Sequence, residues 1–119
     1  MKINILIVDN DASLIKVLAG FLSKDSRFNL LTAVNGKAAL EIAKTHTINL
    51  VITDLKMPEM NGIELLSTLQ KNIPDIKAII LTGYSNIDSY IEAMDLGAHE
   101  YLNKPVDLYL LKEVVNKLL

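Results

Sequence analysis

The sequence has no cysteine, which excludes a disulfide framework and leaves a reducing cytoplasm as the expected location. Histidine is scarce: His46 and His99 are the only two, and they stand far apart, so no histidine metal centre is expected. An excess of positive charge is also missing. Twelve Lys and Arg against 14 Asp and Glu give a formal net charge of -2, with no basic footprint for nucleic acid or an anionic membrane surface. Long hydrophobic runs are lacking too. The uncharged apolar stretches are far too short to cross a bilayer, and the first one ends at Asp9, short of a signal peptide's apolar region. Repeats, low-complexity tracts and linkers are absent. What remains is a chain of 119 residues, half of them hydrophobic. It reads as one compact domain over residues 1–119, whole or cut from a longer chain.

Apolar runs alternate with amphipathic segments. Ile3–Val8 reads as a buried strand, short, Ile-rich and not alternating. Leu14, Val17, Leu18, Phe21 and Leu22 recur at helical spacing as one apolar stripe, with Asp11 as its N-cap. Phe28–Val34 predicts a second strand, ended by the turn pair Asn35-Gly36. A small helix over Lys37–Thr45 turns Ala39, Ile42 and Ala43 inward, and His46 reads as a partner for its dipole. Asn49–Thr53 is a third strand, and Pro58 bars helix from the loop after it. Asn61 and Glu64 have capping-box spacing and open a helix to about Lys71. Ile76–Leu81 predicts a fourth strand. Ser85 is then the expected N-cap of a helix whose stripe is Ile87, Tyr90, Ile91 and Met94, with Gly97 closing it. Glu100–Asn103 is the last strand, followed by a stripe of Leu111, Val114, Val115 and Leu118. Five βα units in a row predict a doubly wound α/β fold: a parallel sheet with helices on both faces.

Four polar residues end four of the apolar runs: Asp9, Asp54, Thr82 and Lys104. In open parallel sheets, ligands bind outside the carboxyl ends of the strands. The topology therefore sends two acids, a hydroxyl and an ammonium to one crevice. A hard divalent cation wants one or two carboxylates plus other oxygens, which Asp9, Asp54 and the amide of Asn10 can supply. A phosphoryl group needs its charge neutralised, a task for such a cation and Lys104. A carboxylate can itself be the nucleophile. Thr82 can donate a hydrogen bond to a phosphoryl oxygen. Taken singly, each residue has a plain structural reading, such as a cap, a turn or a solvated charge. Only their convergence points to function.

Asp9, the segment Thr53-Asp54-Leu55-Lys56-Met57-Pro58-Glu59-Met60-Asn61-Gly62, Leu81-Thr82-Gly83 and Lys104-Pro105 together resemble a response-regulator receiver domain across essentially the whole chain. The resemblance implies a flavodoxin-like (βα)5 fold with parallel strands in order 2-1-3-4-5. It implies that Asp54 accepts a phosphoryl group from a sensor histidine kinase or phosphotransfer protein, and that Mg2+ (or Mn2+) is the cofactor. Asp9, Asn10, Asp54 and the backbone carbonyl of Lys56 would be the metal ligands. Thr82 and Lys104 would contact the phosphoryl group, and Thr82 with Tyr101 would form the switch. The bond before Pro105 is expected to be cis. The only chemistry implied is self-phosphorylation and autodephosphorylation. The readout surface would be the Ile87–Leu96 helix, the last strand and the final helix, where a homodimer could form and where Tyr90, Tyr101 and Tyr109 are candidate contacts. Kinase helices would dock beside Leu14 and Ile15. Any DNA-binding output would need a further domain.

One departure stands out. The second position of the acidic pair is Asn10. An amide keeps an oxygen but loses a charge, so weaker Mg2+ binding is expected, offset in part by Asp11. Lys56 and Tyr84 occupy positions that border the attacking water in receivers, and the bulk of Tyr84 implies a longer-lived phosphoryl group. Two other readings stand beside this one. Asp9-Asn10-Asp11 is similar to the nucleophile motif of haloacid-dehalogenase-type phosphatases, with Asp9 as nucleophile and Asp11 as acid/base. Asn10 is also compatible with a pseudo-receiver that binds partners without being phosphorylated.

Overall fold

The computed structural model describes residues 2–83 and 86–119. The elements run β1 (Ile3–Val8), α1 (Ala12–Leu22), β2 (Phe28–Ala33), α2 (Gly36–Thr45), β3 (Leu50–Asp54), α3 (Gly62–Asn72), β4 (Lys77–Thr82), α4 (Ile87–Leu96), β5 (Glu100–Asn103) and α5 (Leu108–Leu118). The strands form one parallel sheet, as the five repeated βα units predict, in the order β2-β1-β3-β4-β5 that the receiver resemblance implies.

The non-alternating strands are explained by burial on both faces. Leu6, Val8, Val51, Ala78 and Ile80 point to one side, where Ala39 of α2, Leu65, Leu66 and Leu69 of α3 and Ala93 of α4 cover them. Ile5, Ile7, Leu50, Ile52, Ile79 and Leu81 point to the other, under Ile15, Leu18 and Leu22 of α1 and Leu111, Val114 and Val115 of α5. Each such aliphatic side chain removed from water contributes roughly 1.5–3 kcal/mol.

Caps set the helix starts. The Asp11 carboxylate accepts from the Ser13 and Leu14 amides, as the sequence predicts. Asn61 and Glu64 form a reciprocal capping box at 2.9 and 3.1 Å. Gly97 closes α4 at φ 111, a left-handed conformation that glycine adopts without a Cβ clash. The Lys104–Pro105 bond is cis.

Several expectations need correction. β3 and β4 each run one residue further than read, so Asp54 and Thr82 are the last residues of their strands. β2 stops at Ala33, leaving Val34 exposed, and α2 begins at Gly36. In α1 the buried positions are Ile15, Leu18 and Leu22, while Val17 faces water. The α4 stripe holds only at Met94, which packs against the core. Ile87, Tyr90 and Ile91 are 73%, 46% and 48% exposed, and the helix packs through Ala93. The residue that caps α4 is Asn86, which accepts from Ser89. The readings of Ser85 and Tyr84 lie outside the described residues.

Candidate functional site

Sheet register brings the four strand endings together. Val8 pairs with Thr53, so Asp9 leaves its strand beside Asp54. Asp54 pairs with Leu81, one residue before Thr82, and Thr82 pairs with Asn103, one residue before Lys104. Backbone bonds hold the edge in place: Asp9 N to Ala33 O at 3.2 Å, Leu55 N to Leu81 O at 3.2 Å and Lys104 N to Thr82 O at 2.9 Å.

Asp9, Asp54 and Thr82 are buried, although charged and polar groups avoid the interior unless they have partners. The partner of the two carboxylates is Lys104. Its ammonium lies 2.8 Å from Asp9 Oδ2 and 3.3 Å from Asp54 Oδ2, bridging the two carboxylates. The other Asp9 oxygen accepts from the Asp11 amide at 2.9 Å. The other Asp54 oxygen accepts a long 3.4 Å contact from the Lys56 amide.

The electrostatics follow from the burial of these carboxylates side by side. Burial, and then the like charge of Asp9, push the Asp54 carboxyl above the ordinary aspartate range, and Lys104 offsets this only in part. For Lys104, burial acts against the ammonium. The Asp9 hydrogen bond and the charge of Asp54 outweigh it and raise its pKa. Two buried carboxylates thus share one ammonium, a donor set that a hard divalent cation fits. Among the described residues no three Asp, Glu, His or Cys side chains converge. A cation here would draw its remaining ligands from amide, carbonyl or water oxygens. Asn10 is exposed and follows Asp9 directly, at the rim of the pocket.

The remaining residues stand further out. Tyr101 is half-buried on β5 and meets Tyr90 of α4 edge-on, ring centroids 5.4 Å apart at 79°. Lys56 is exposed at the start of the β3–α3 loop. The sequence reading gave no role to Gly62, yet a Cβ there would run into the Asp54 carbonyl oxygen. Its amide also donates to Leu55 O at 2.8 Å. The available signal was a glycine at the first helical position, where propensity favours almost any other residue.

The family model described as "Response regulator receiver domain" matches residues 5–116. The chain belongs to this family. Receiver domains of known structure superpose along its whole length. One from Methanospirillum hungatei JF-1, described as CheY-like, has a TM-score of 0.90 and 30% identity, covering 99% of this chain and 94% of that one. One from Clostridium thermocellum has a TM-score of 0.89 and 35% identity, covering 98% and 93%. A response regulator from Burkholderia pseudomallei was solved with a phosphorylated aspartic acid, calcium ion and citrate. It has a TM-score of 0.84 and 26% identity, covering 98% of this chain and 72% of that one. Among curated proteins, the transcriptional regulatory protein ZraR of Klebsiella oxytoca is 38% identical over 89% of this chain and 24% of its own length. The probable transcriptional regulator ycf29 of Pyropia yezoensis is 36% identical over 100% of this chain and 54% of its own. The receiver domain therefore spans about a quarter to a half of these relatives. Among its described residues, no helix is long and apolar enough to cross a membrane.

Proposed function

We propose that this receiver domain accepts a phosphoryl group on Asp54, and that Asp9, Asn10, Asp54 and the Lys56 carbonyl hold a divalent cation, Mg2+ or Mn2+. The observation that carries this is the pairing of two buried carboxylates under one ammonium, at the edge where parallel sheets bind ligands. An Asp54 oxygen attacks the phosphorus of a phosphohistidine. An O–P bond forms, the N–P bond breaks, and the leaving imidazole takes a proton from solvent. A bound cation would supply positive charge against the phosphoryl oxygens.

The chain's own residues do the rest. Asp54 is held at the end of β3, and Lys104 sits 3.3 Å from its carboxylate, ready to follow the new oxygens. Thr82 ends the neighbouring strand within the same pocket and is the hydroxyl expected to turn towards the product. The added charge then biases Thr82, Tyr101 and the α4–β5–α5 face, which would act on an effector or a second copy. Its exposed Ile87, Tyr90, Ile91 and Tyr109 support that use. The donor would be a histidine kinase or phosphotransfer protein in the cytoplasm, docking beside the half-buried Leu14; Ile15, also expected there, is buried under the sheet instead. The domain is read as a unit over residues 1–119, and output to DNA would belong to another domain.

The phosphatase reading needs Asp11 as acid/base, and the Asp11 carboxylate is engaged as the N-cap of α1. Incubation with acetyl phosphate and Mg2+, read by intact mass, tests the choice. Asp54→Asn should abolish labelling. Loss of labelling in Asp9→Asn with retention in Asp54→Asn would favour the phosphatase. An unmodified wild-type chain would favour a pseudo-receiver.

A further inference from the structure

The loop between Asp54 and α3 contains an uncommon backbone. Glu59 has φ 68, a left-handed value in a residue that is not glycine. The Met60 amide donates to the Pro58 carbonyl at 2.7 Å, closing a three-residue turn around Glu59. Such turns are strained and persist only where surrounding contacts impose them.

The imposing contact is the side chain of Met60. It lies over Gly36, the buried first residue of α2. A Cβ built on Gly36 would stand 2.7 Å from Met60 Sδ, 3.0 Å from its Cγ and 3.1 Å from its Cβ. The backbone of Gly36 does not call for glycine, since its φ is not positive. Helix propensity disfavours glycine there, and the cap is already supplied by Asn35, which accepts from Ala38 at 2.7 Å. The contact with Met60 is therefore what an alanine would disturb. On its other side Met60 is followed by Asn61 and then Gly62, which is pressed against the Asp54 carbonyl and bonded to Leu55 O. Two close contacts, Gly36 with Met60 and Gly62 with the backbone of Asp54, are thus joined by the short chain segment Met60-Asn61-Gly62.

We propose that Gly36 is a positioning residue for Asp54, acting through Met60. This rests on the reading of Asp54 as phosphoacceptor. The empty space at Gly36 seats Met60, the seat holds the Glu59 turn, and the turn fixes where the Asp54 carboxylate and the Lys56 carbonyl stand. Small displacements of a reacting group cost orders of magnitude in rate.

The test is the initial rate of acetyl phosphate labelling in wild type, Gly36→Ala, Met60→Ala and the double variant, alongside their thermal midpoints. Gly36→Ala should slow labelling about tenfold. Its midpoint should not fall in proportion, because alanine favours α2. Met60→Ala should also slow labelling, and adding Gly36→Ala to it should cause no further loss. Gly36→Ala labelling at the wild-type rate, or two effects that multiply, would overturn the proposal while leaving Asp54 as the acceptor. A wild-type chain that takes no label would overturn the phosphoacceptor reading itself, and this role with it.

Discussion

At the scale of single residues, the pocket is a contest of charges that the fold leaves unresolved. Asp9 and Asp54 are both buried, and Lys104 must serve both. Because the Asp54 carboxyl is pushed above its ordinary value of 3.8, the folded chain holds that proton more tightly than the unfolded one. Stability contributed by Asp54 therefore falls as pH rises from the ordinary value through the raised one. Asp54→Asn should raise the thermal midpoint at neutral pH, with a gain that shrinks as pH drops below the ordinary aspartate range. Lys104 retains Asp9 as a partner in that variant. A lower midpoint at neutral pH would show that the carboxylate is better satisfied than its contacts indicate. The amide at Asn10 makes a second prediction: Asn10→Asp should tighten Mg2+ binding roughly tenfold by restoring a charge, as measured by titration calorimetry. Equal affinities would defeat it. The gathering of Asp54, Thr82 and Lys104 at one sheet edge was legible in the sequence because each ends an apolar run that reads as a parallel strand. The seat of Met60 on Gly36 was not, because it depends on an approach between the β3–α3 loop and the start of α2.

At the scale of elements, periodicity identified every helix but did not always choose its buried face. The α4 segment carries two apolar sets, and the larger side chains, Ile87, Tyr90 and Ile91, look outward while Ala93 sits in the core. Tertiary packing, through Ala93 with Met94 and Leu96, chooses between them, and a one-dimensional pattern does not contain it. Ile87→Ala should therefore change stability by less than about 0.5 kcal/mol, whereas Ala93→Leu should cost about 1–3 kcal/mol by overpacking. Chemical denaturation of both variants checks the ordering. Caps were more legible, because their chemistry is local: Asp11, Asn61 and Gly97 fall where the sequence put them.

At the scale of the whole molecule, five consecutive βα units and the handedness of their crossovers predict a parallel sheet covered on both faces, while the strand order came from the receiver resemblance. The side chains that tie distant parts together were not foreseen. The Asp25 carboxylate, between α1 and β2, lies 2.7 Å from Arg27 and 2.7 Å from Lys112 of α5. Arg27 also reaches Asn116 at 2.9 Å. The Arg27 hydrogen bond, and then that of Lys112, hold the Asp25 carboxyl well below its ordinary value of 3.8. The sign is opposite to that of Asp54. This stability is present above the ordinary value and is lost as pH falls towards the lowered one. Asp25→Asn should lower the neutral-pH midpoint and flatten the acid limb of the stability profile. The account as a whole turns on one residue at the end of β3. Its most direct test is to label the chain with acetyl phosphate and Mg2+, reduce the acyl phosphate with borohydride and locate the resulting homoserine by peptide sequencing in a mass spectrometer. The account predicts homoserine at position 54 alone, whereas homoserine at position 9, or none at all, would contradict it.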